Sequence, residues 1–303
     1  MSSNAMRGCV AMVLCAMACF AGLDTLSKLA TGSVPVIVVI WARFLVQMAA
    51  AGARVWPMRR TGILRSRRPW LQLLRGLSTT LSSLLGLLSL KYLQVADFTA
   101  ILMLIPMLIT AISSTHLKER VPVAGWWLLA GGFVGALVVI RPGAQGFQWG
   151  MLLSLGCVAF NTAFQLLTSV IARDDDPQAI NFYTGVVATA VFTLGLPFLG
   201  AAPSWSMAAL LVAAGLCNTV GQYLMILAYA RARPSQLTSC LYFQIPFAAL
   251  AGWMVFGKTP DAWAFVGIVV ITACGLMSTE TSRNEARRWF GGAVRALAAR
   301  RIL

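Results

Sequence analysis

The sequence predicts an all-α membrane protein of ten transmembrane helices, built as two inverted five-helix repeats with both termini in the cytoplasm. Three observations predict it. The 303 residues are 59% hydrophobic and 11% charged; a soluble domain carries about 25% charge, and this chain cannot cover its surface with polar groups. Its apolar residues fall in runs close to the 20 or so that a bilayer-crossing helix needs, which leaves short loops and no room for a soluble catalytic domain. Its lysines and arginines alternate from loop to loop, as they do in a protein that orients itself by charge. The net charge of +15 therefore reads as topology, and nucleic acid is not expected as a partner.

In chain order the apolar runs predict helices at 8–28, 34–56, 70–90, 95–115, 123–140, 147–172, 179–199, 204–229, 235–256 and 261–279. The breaks carry turn or charge signals, among them TGSVP, LKERVP, RPGAQG, ARDDDP and FGKTPD. Helices are required throughout, because lipid satisfies no exposed backbone group. With the N-terminus inside, eighteen lysines and arginines fall on the inner side, from Arg7 to the six arginines after Glu280. Only Lys28, Lys91, Arg141 and Lys258 fall outside, and Arg43 and Arg75 lie within spans. Arg7 ahead of an apolar run also resembles a signal peptide, but cleavage would delete one span and spoil this alternation.

The chain repeats itself weakly at an offset of 140: Ile105-Pro106 recurs as Ile245-Pro246, and Lys118, Ala111 and Ile40 meet Lys258, Ala251 and Ile180. Five spans per copy put the second copy into the membrane upside down, a recurrent plan of secondary transporters. The expected units are residues 7–142, 147–280 and a basic cytoplasmic tail, 281–303. In the tail Trp289, Phe290, Val294 and Leu297 follow helical spacing between arginines. That suits a helix on the inner leaflet, and equally a disordered tail that fixes topology.

Ionisable groups inside spans are costly, so each is a candidate for a substrate pathway or gate. Asp24 lies near the outer end of the first span, with Lys28 four residues on and on the same face. The pair either gates the path, with Asp24 as a proton site, or simply ends the helix. Arg43 is roughly 13 Å into the second span at 1.5 Å per residue, too deep to reach water, and needs a carboxylate, carbonyls or an anionic substrate. Arg75 lies one turn into the third span, where its stem lets it snorkel to the inner interface. Asp97 opens the fourth span, where the helix dipole favours an anion.

Polar uncharged residues complete the set. Asn161 and Gln165 share one face of the sixth span, and Asn218 and Gln222 repeat that spacing in the eighth. Tyr242 and Gln244 precede Pro246, and Tyr183 aligns with Arg43 at the repeat offset. These residues line a polar cavity or serve as interhelical glue. Pro106 and Pro246 free backbone bonds at matching places. Gly131 and Gly135, with Gly267 and Gly275 of the tenth span, predict close packing where the repeats meet. The seven cysteines sit in apolar runs with no C-x-x-C pair and read as small hydrophobes. One histidine and no glycine-rich phosphate loop give no sign of a metal site, a triad or ATP, so neither a cofactor nor an enzyme is expected.

The stretches LLRGLSTTLSSLLGLLSLKYLQVADFTAILMLIPMLITAISSTHLKERV from 73, GGFVGALVVIRPG from 131 and GQYLMILAYARARPSQLTSCLYFQIPFAALAGWMVFGKTP from 221 resemble the EamA-type transporters of the drug/metabolite transporter superfamily. GLDTLSK at 22–28 and FYTG at 182–185 resemble most its S-adenosylmethionine-uptake-like branch. FGKTP stands where the family often has a glycine–glutamate pair. The resemblance implies a multi-pass protein of the bacterial inner membrane that moves an amino acid or S-adenosylmethionine-like compound by alternating access, with protons as a candidate coupling ion. A membrane scaffold or sensor acting through the basic tail is the alternative.

Overall fold

The computed structural model describes residues 3–31, 33–57, 66–89, 92–93, 98, 101–116, 119, 121–140, 149–194, 205–257, 262–275 and 277. Among the described residues every regular element is helical. In chain order these are α1 (Ser3–Thr31), α2 (Val36–Val55), α3 (Pro69–Ser89), α4 (Ile105–Thr115), α5 (Val123–Ile140), α6 (Trp149–Ile171), α7 (Pro177–Thr193), α8 (Trp205–Arg231), α9 (Pro234–Leu241), α10 (Gln244–Phe256) and α11 (Ala262–Gly275). Every predicted span overlaps a helix. Among the described residues six stretches are long and apolar enough to cross a membrane: Met6–Thr31, Val36–Val55, Pro69–Ser89, Trp149–Ile171, Trp205–Arg231 and the α9–α10 run Pro234–Phe256. Asp97 and the basic tail lie outside the described residues.

Local chemistry sets the ends. Pro177 opens α7 behind Asp176, whose carboxylate accepts the Gln178 N–H at 2.8 Å and so satisfies a donor the helix leaves free. Gly257, at φ 65°, closes α10 in the left-handed conformation that glycine adopts without strain. Trp56, Trp70, Trp127, Trp149, Trp205 and Trp263 are exposed near helix ends, the positions of an interfacial aromatic belt.

The two prolines act alike. Pro106 and Pro246 are each preceded by a two-residue break, at Met103–Leu104 and Tyr242–Phe243. Each break begins within two residues of the carbonyl that the proline ring would meet four residues back. The breaks also touch, because the Tyr242 hydroxyl donates to the Met103 carbonyl at 3.2 Å.

Packing follows a pattern of exchanged partners. α1 lies along α8 as α6 lies along α3; α2 lies on α8 as α7 lies on α3; α2 and α7 meet each other, and so do α4 and α9. Glycines allow the close approaches. A β-carbon on Gly76 would stand 2.7 Å from Val187, and one on Gly215 would stand 2.5 Å from Val46. Gly131 faces Cys274, while Gly135 faces Ile271 and the Gly267 carbonyl, so α5 and α11 pack as the glycine spacing predicts. The largest apolar cluster joins the first half of α1 (Cys9, Val13, Ala16) to Ile109, Ile171, Tyr229, Leu237 and Cys240. These residues gather at one end of the bundle.

Candidate functional site

The site is built around charges that α1 and α2 carry into the bundle. Asp24 Oδ2 accepts the Gln244 amide of α10 at 2.8 Å. Asp24 as a residue is exposed, and α10 supplies its hydrogen-bond partner. The expected pairing with Lys28 is not seen. Lys28 instead stands 5.1 Å over the Phe256 ring, a cation–π contact from α1 to α10. The i,i+4 spacing put both groups on one side of α1, but α10 offers each a better partner.

Arg43 comes from the middle of α2. Its Nη2 donates to Ser83 of α3 at 3.3 Å, and its guanidinium lies 4.8 Å over Phe44. Arg43 and Asp24 interact electrostatically, yet each takes its hydrogen bond from a neutral partner. Arg43 Nε is buried with no acceptor among the described residues. Two opposite charges therefore face one region with binding capacity to spare, a costly state that a polar ligand relieves.

Arg75 behaves differently from expectation. It does not snorkel to an interface: its side chain is 0% exposed. Nε donates to Thr168 at 2.7 Å, Nη1 donates to the Ile180 carbonyl at 3.3 Å and to Thr184, and the guanidinium lies 4.5 Å over Phe164. Nearby α6 and α7 supply acceptors within the bundle, so the stem has no reason to reach for water. Arg75 ties α3 to both helices.

The amides divide into two groups. Asn218 donates to Gln47 Oε1 at 2.6 Å, Gln47 donates to Asn181 Oδ1 at 2.6 Å, and Asn181 donates to the Thr219 carbonyl at 3.1 Å. This buried chain joins α2, α7 and α8. Separately, Gln165 donates to Asn161 at 3.0 Å and accepts from Tyr229 at 2.7 Å. Gln222 makes no side-chain hydrogen bond to another described residue, and Tyr183 packs at 6.0 Å from Phe182. Tyr242 is 1% exposed among Leu129, Ala136, Ile245 and Ile271, its ring filling the space over Gly132. Of the predicted residues, the structure brings together Asp24, Arg43 and Gln244; Asn218 joins a packing network and Tyr242 an apolar one. Sequence alone did not single out Ser83, which bonds Arg43, or Gln47 and Asn181, which join Asn218 in the packing network. Gln47 stands four residues after Arg43, the same spacing that singled out Asn161 and Gln165.

A second polar group sits at the end of the bundle where α3 and α7 begin. Asp175 accepts from the Ser66 hydroxyl, from the Arg67 N–H at 3.0 Å and from Gln72 Nε2 at 2.9 Å. Its partial burial would raise the carboxyl, but the Ser66, Arg67 and Gln72 hydrogen bonds and the Arg67 charge hold it below its ordinary value. Beside it Arg68 pairs with Asp174 at 3.6 Å. Glu119, 6% exposed, accepts from the Ser235 hydroxyl at 2.6 Å and pairs with Arg173 at 3.8 Å.

The comparisons with known proteins agree with this architecture. The EamA-like transporter family model matches twice, over residues 7–141 and 148–279. A riboflavin transporter of Vibrio cholerae is 30% identical over 80% of this chain and 85% of its own. The pseudopaline exporter CntI of Pseudomonas aeruginosa is 25% identical over 86% and 92%. An S-adenosylmethionine uptake transporter of Rickettsia bellii is 22% identical over 69% and 72%. A solved crystal structure, 19% identical, superposes with a TM-score of 0.78 over 94% of this chain and 99% of its own, which shows the fold. With both matches of the family model together covering nearly the whole sequence, the chain belongs to the EamA-like transporter family, multi-pass proteins of the bacterial inner membrane.

Proposed function

We propose that this small-molecule transporter is a secondary carrier working by alternating access, with its substrate site around Asp24, Arg43 and Gln244. The observation that carries the reading is the unclosed charge pair: a carboxylate and a guanidinium inside apolar spans, each hydrogen-bonded to a neutral neighbour and one retaining a free buried donor. Such groups inside a membrane bundle are functional by default. The exchanged packing partners, α1 with α8 and α6 with α3, support two inverted five-helix repeats at about residues 7–142 and 147–280. Both termini and the tail 281–303 then lie in the cytoplasm, by the charge bias of the loops.

The substrate is a small polar metabolite. S-adenosylmethionine-like compounds and amino acids would set a carboxylate on Arg43. The riboflavin transporters among the relatives add a nitrogen heterocycle bearing a hydroxylated chain. If protons drive the cycle, Asp24 carries them, with Asp97 as the second acid. The test is uptake into proteoliposomes of riboflavin, S-adenosylmethionine and a panel of amino acids, with and without a pH gradient. The expected result is saturable uptake that Arg43→Ala reduces about tenfold or more, equivalent to about 1.4 kcal/mol of lost interaction. Full flux in both Arg43→Ala and Asp24→Asn would contradict the site.

A further inference from the structure

We propose that the polar network of Ser66, Arg67, Arg68, Gln72 and Glu119 with Arg173, Asp174, Asp175 and Ser235 is the gate that shuts one face of the carrier, and that the structure is the conformer with that face closed. Every bond in it that joins segments distant in sequence runs between the two halves of the chain. Ser66, Arg67 and Gln72 of the first half hold Asp175 of the second. Arg68 reaches Asp174, Arg173 reaches Glu119, and Ser235 donates to Glu119 through both its hydroxyl and its N–H.

Three facts make this a gate and not general glue. The charges are concentrated: the ion pairs among the described residues are Arg68–Asp174 and Arg173–Glu119, and they meet through adjacent residues of one turn. The network also roofs the largest apolar cluster, in which Cys9, Ile109, Ile171, Tyr229, Leu237 and Cys240 are buried, so charge and core seal the same end. At the far end Asp24 is exposed, and no ion pair joins the halves there among the described residues. Glu119 carries the largest stake. It is almost fully buried, and parting the halves would strip its Ser235 and Arg173 partners unless water enters to replace them. Opening this face therefore requires the network to break as a unit, and its strength sets the balance of the two conformers.

The inference rests on the carrier reading for what the two conformers are for, but its test needs no substrate. The native cysteines report each end: Cys240 is buried in the sealed cluster, while Cys217 lies against Gly22, near Asp24. Alkylation of the full chain in proteoliposomes by a small maleimide is followed cysteine by cysteine by mass spectrometry. In Glu119→Gln/Asp175→Asn, Cys240 is expected to react about tenfold faster and Cys217 more slowly, because the two faces open alternately; tenfold corresponds to about 1.4 kcal/mol. Ser66→Ala/Arg68→Ala removes only groups at the membrane surface and should shift both rates in the same directions by a smaller factor, so the test survives if the first variant does not fold. The exchanged pair Arg68→Asp/Asp174→Arg should restore wild-type rates, which a purely structural loss would not do. Unchanged Cys240 reactivity, or a parallel rise at Cys240 and Cys217, would overturn the proposal. Absence of uptake by the wild-type protein, together with the expected labelling shift in the variants, would count against the substrate reading alone.

Discussion

A guanidinium inside a helix bundle must find acceptors, and the two arginines of the spans find different numbers of them, each leaving one buried nitrogen, Arg43 Nε and Arg75 Nη2, without a partner among the described residues. Arg75 is held on three sides, by Thr168, by Ile180 with Thr184, and by the Phe164 ring. A lysine there has no planar fork with which to bond α6 and α7 together. Arg75→Lys is therefore expected to lower unfolding free energy by about 1–3 kcal/mol, read as an earlier thermal transition in detergent. Arg43 makes a single hydrogen bond, to Ser83, so Arg43→Lys should keep much of the stability and lose transport, a split that uptake and thermal melts separate. Asp24→Asn retains an oxygen to accept from Gln244 and removes only the charge; near-normal binding with lost pH dependence is expected if the carboxylate handles protons. The costly charges were legible in the sequence, because depth within an apolar run is a one-dimensional property. Their partners were not. Gln244, 220 residues from Asp24, and the acceptors that keep Arg75 from the interface are matters of tertiary packing.

At the scale of elements, the helices follow from apolar runs and their punctuation. The fifth span coincides with α5, while α7 and α8 start within a turn of the prediction because Pro177 and the tryptophan at 205 mark their ends. The breaks before Pro106 and Pro246 were legible from proline chemistry, but their mutual contact through the Tyr242 hydroxyl was not. The sequence left Tyr242 between cavity lining and interhelical glue, because periodicity cannot tell an inward-facing polar group from one plugging a helix contact. Helix approach also depends on positions that looked unremarkable. A β-carbon on Gly185 would stand 2.7 Å from the Met48 backbone nitrogen, and backbone cannot step aside as a side chain does. Gly185→Ala should destabilise the α2–α7 contact by about 1–3 kcal/mol; an unchanged melting temperature would show that these helices part freely.

Over the whole molecule, two halves of one chain exchange packing partners and are tied most strongly at one end. The tie has a predictable pH response. Asp175 titrates below its ordinary value when folded, so the unfolded chain takes up its proton first as pH falls. The stabilisation is complete above the ordinary carboxylate value of about 3.9, and it is lost as pH drops through the depressed native value. Thermal melts taken downward in pH should lose stability there in wild type and be flatter in Asp175→Asn. The repeat was visible in the sequence only as a faint register, because α1 and α6 need the same shape and not the same residues: Asp24 of one half corresponds to Phe164 of the other at the 140-residue offset. A single alternately exposed site is tested most directly by exchange. Proteoliposomes loaded with an unlabelled substrate from the uptake panel are diluted into a trace of the same labelled compound. Label is expected to accumulate transiently above its outside concentration, an effect abolished by Arg43→Ala, because a carrier with one alternately exposed site couples exit of one molecule to entry of the next. Label that only equilibrates, or accumulation untouched by Arg43→Ala, would contradict it.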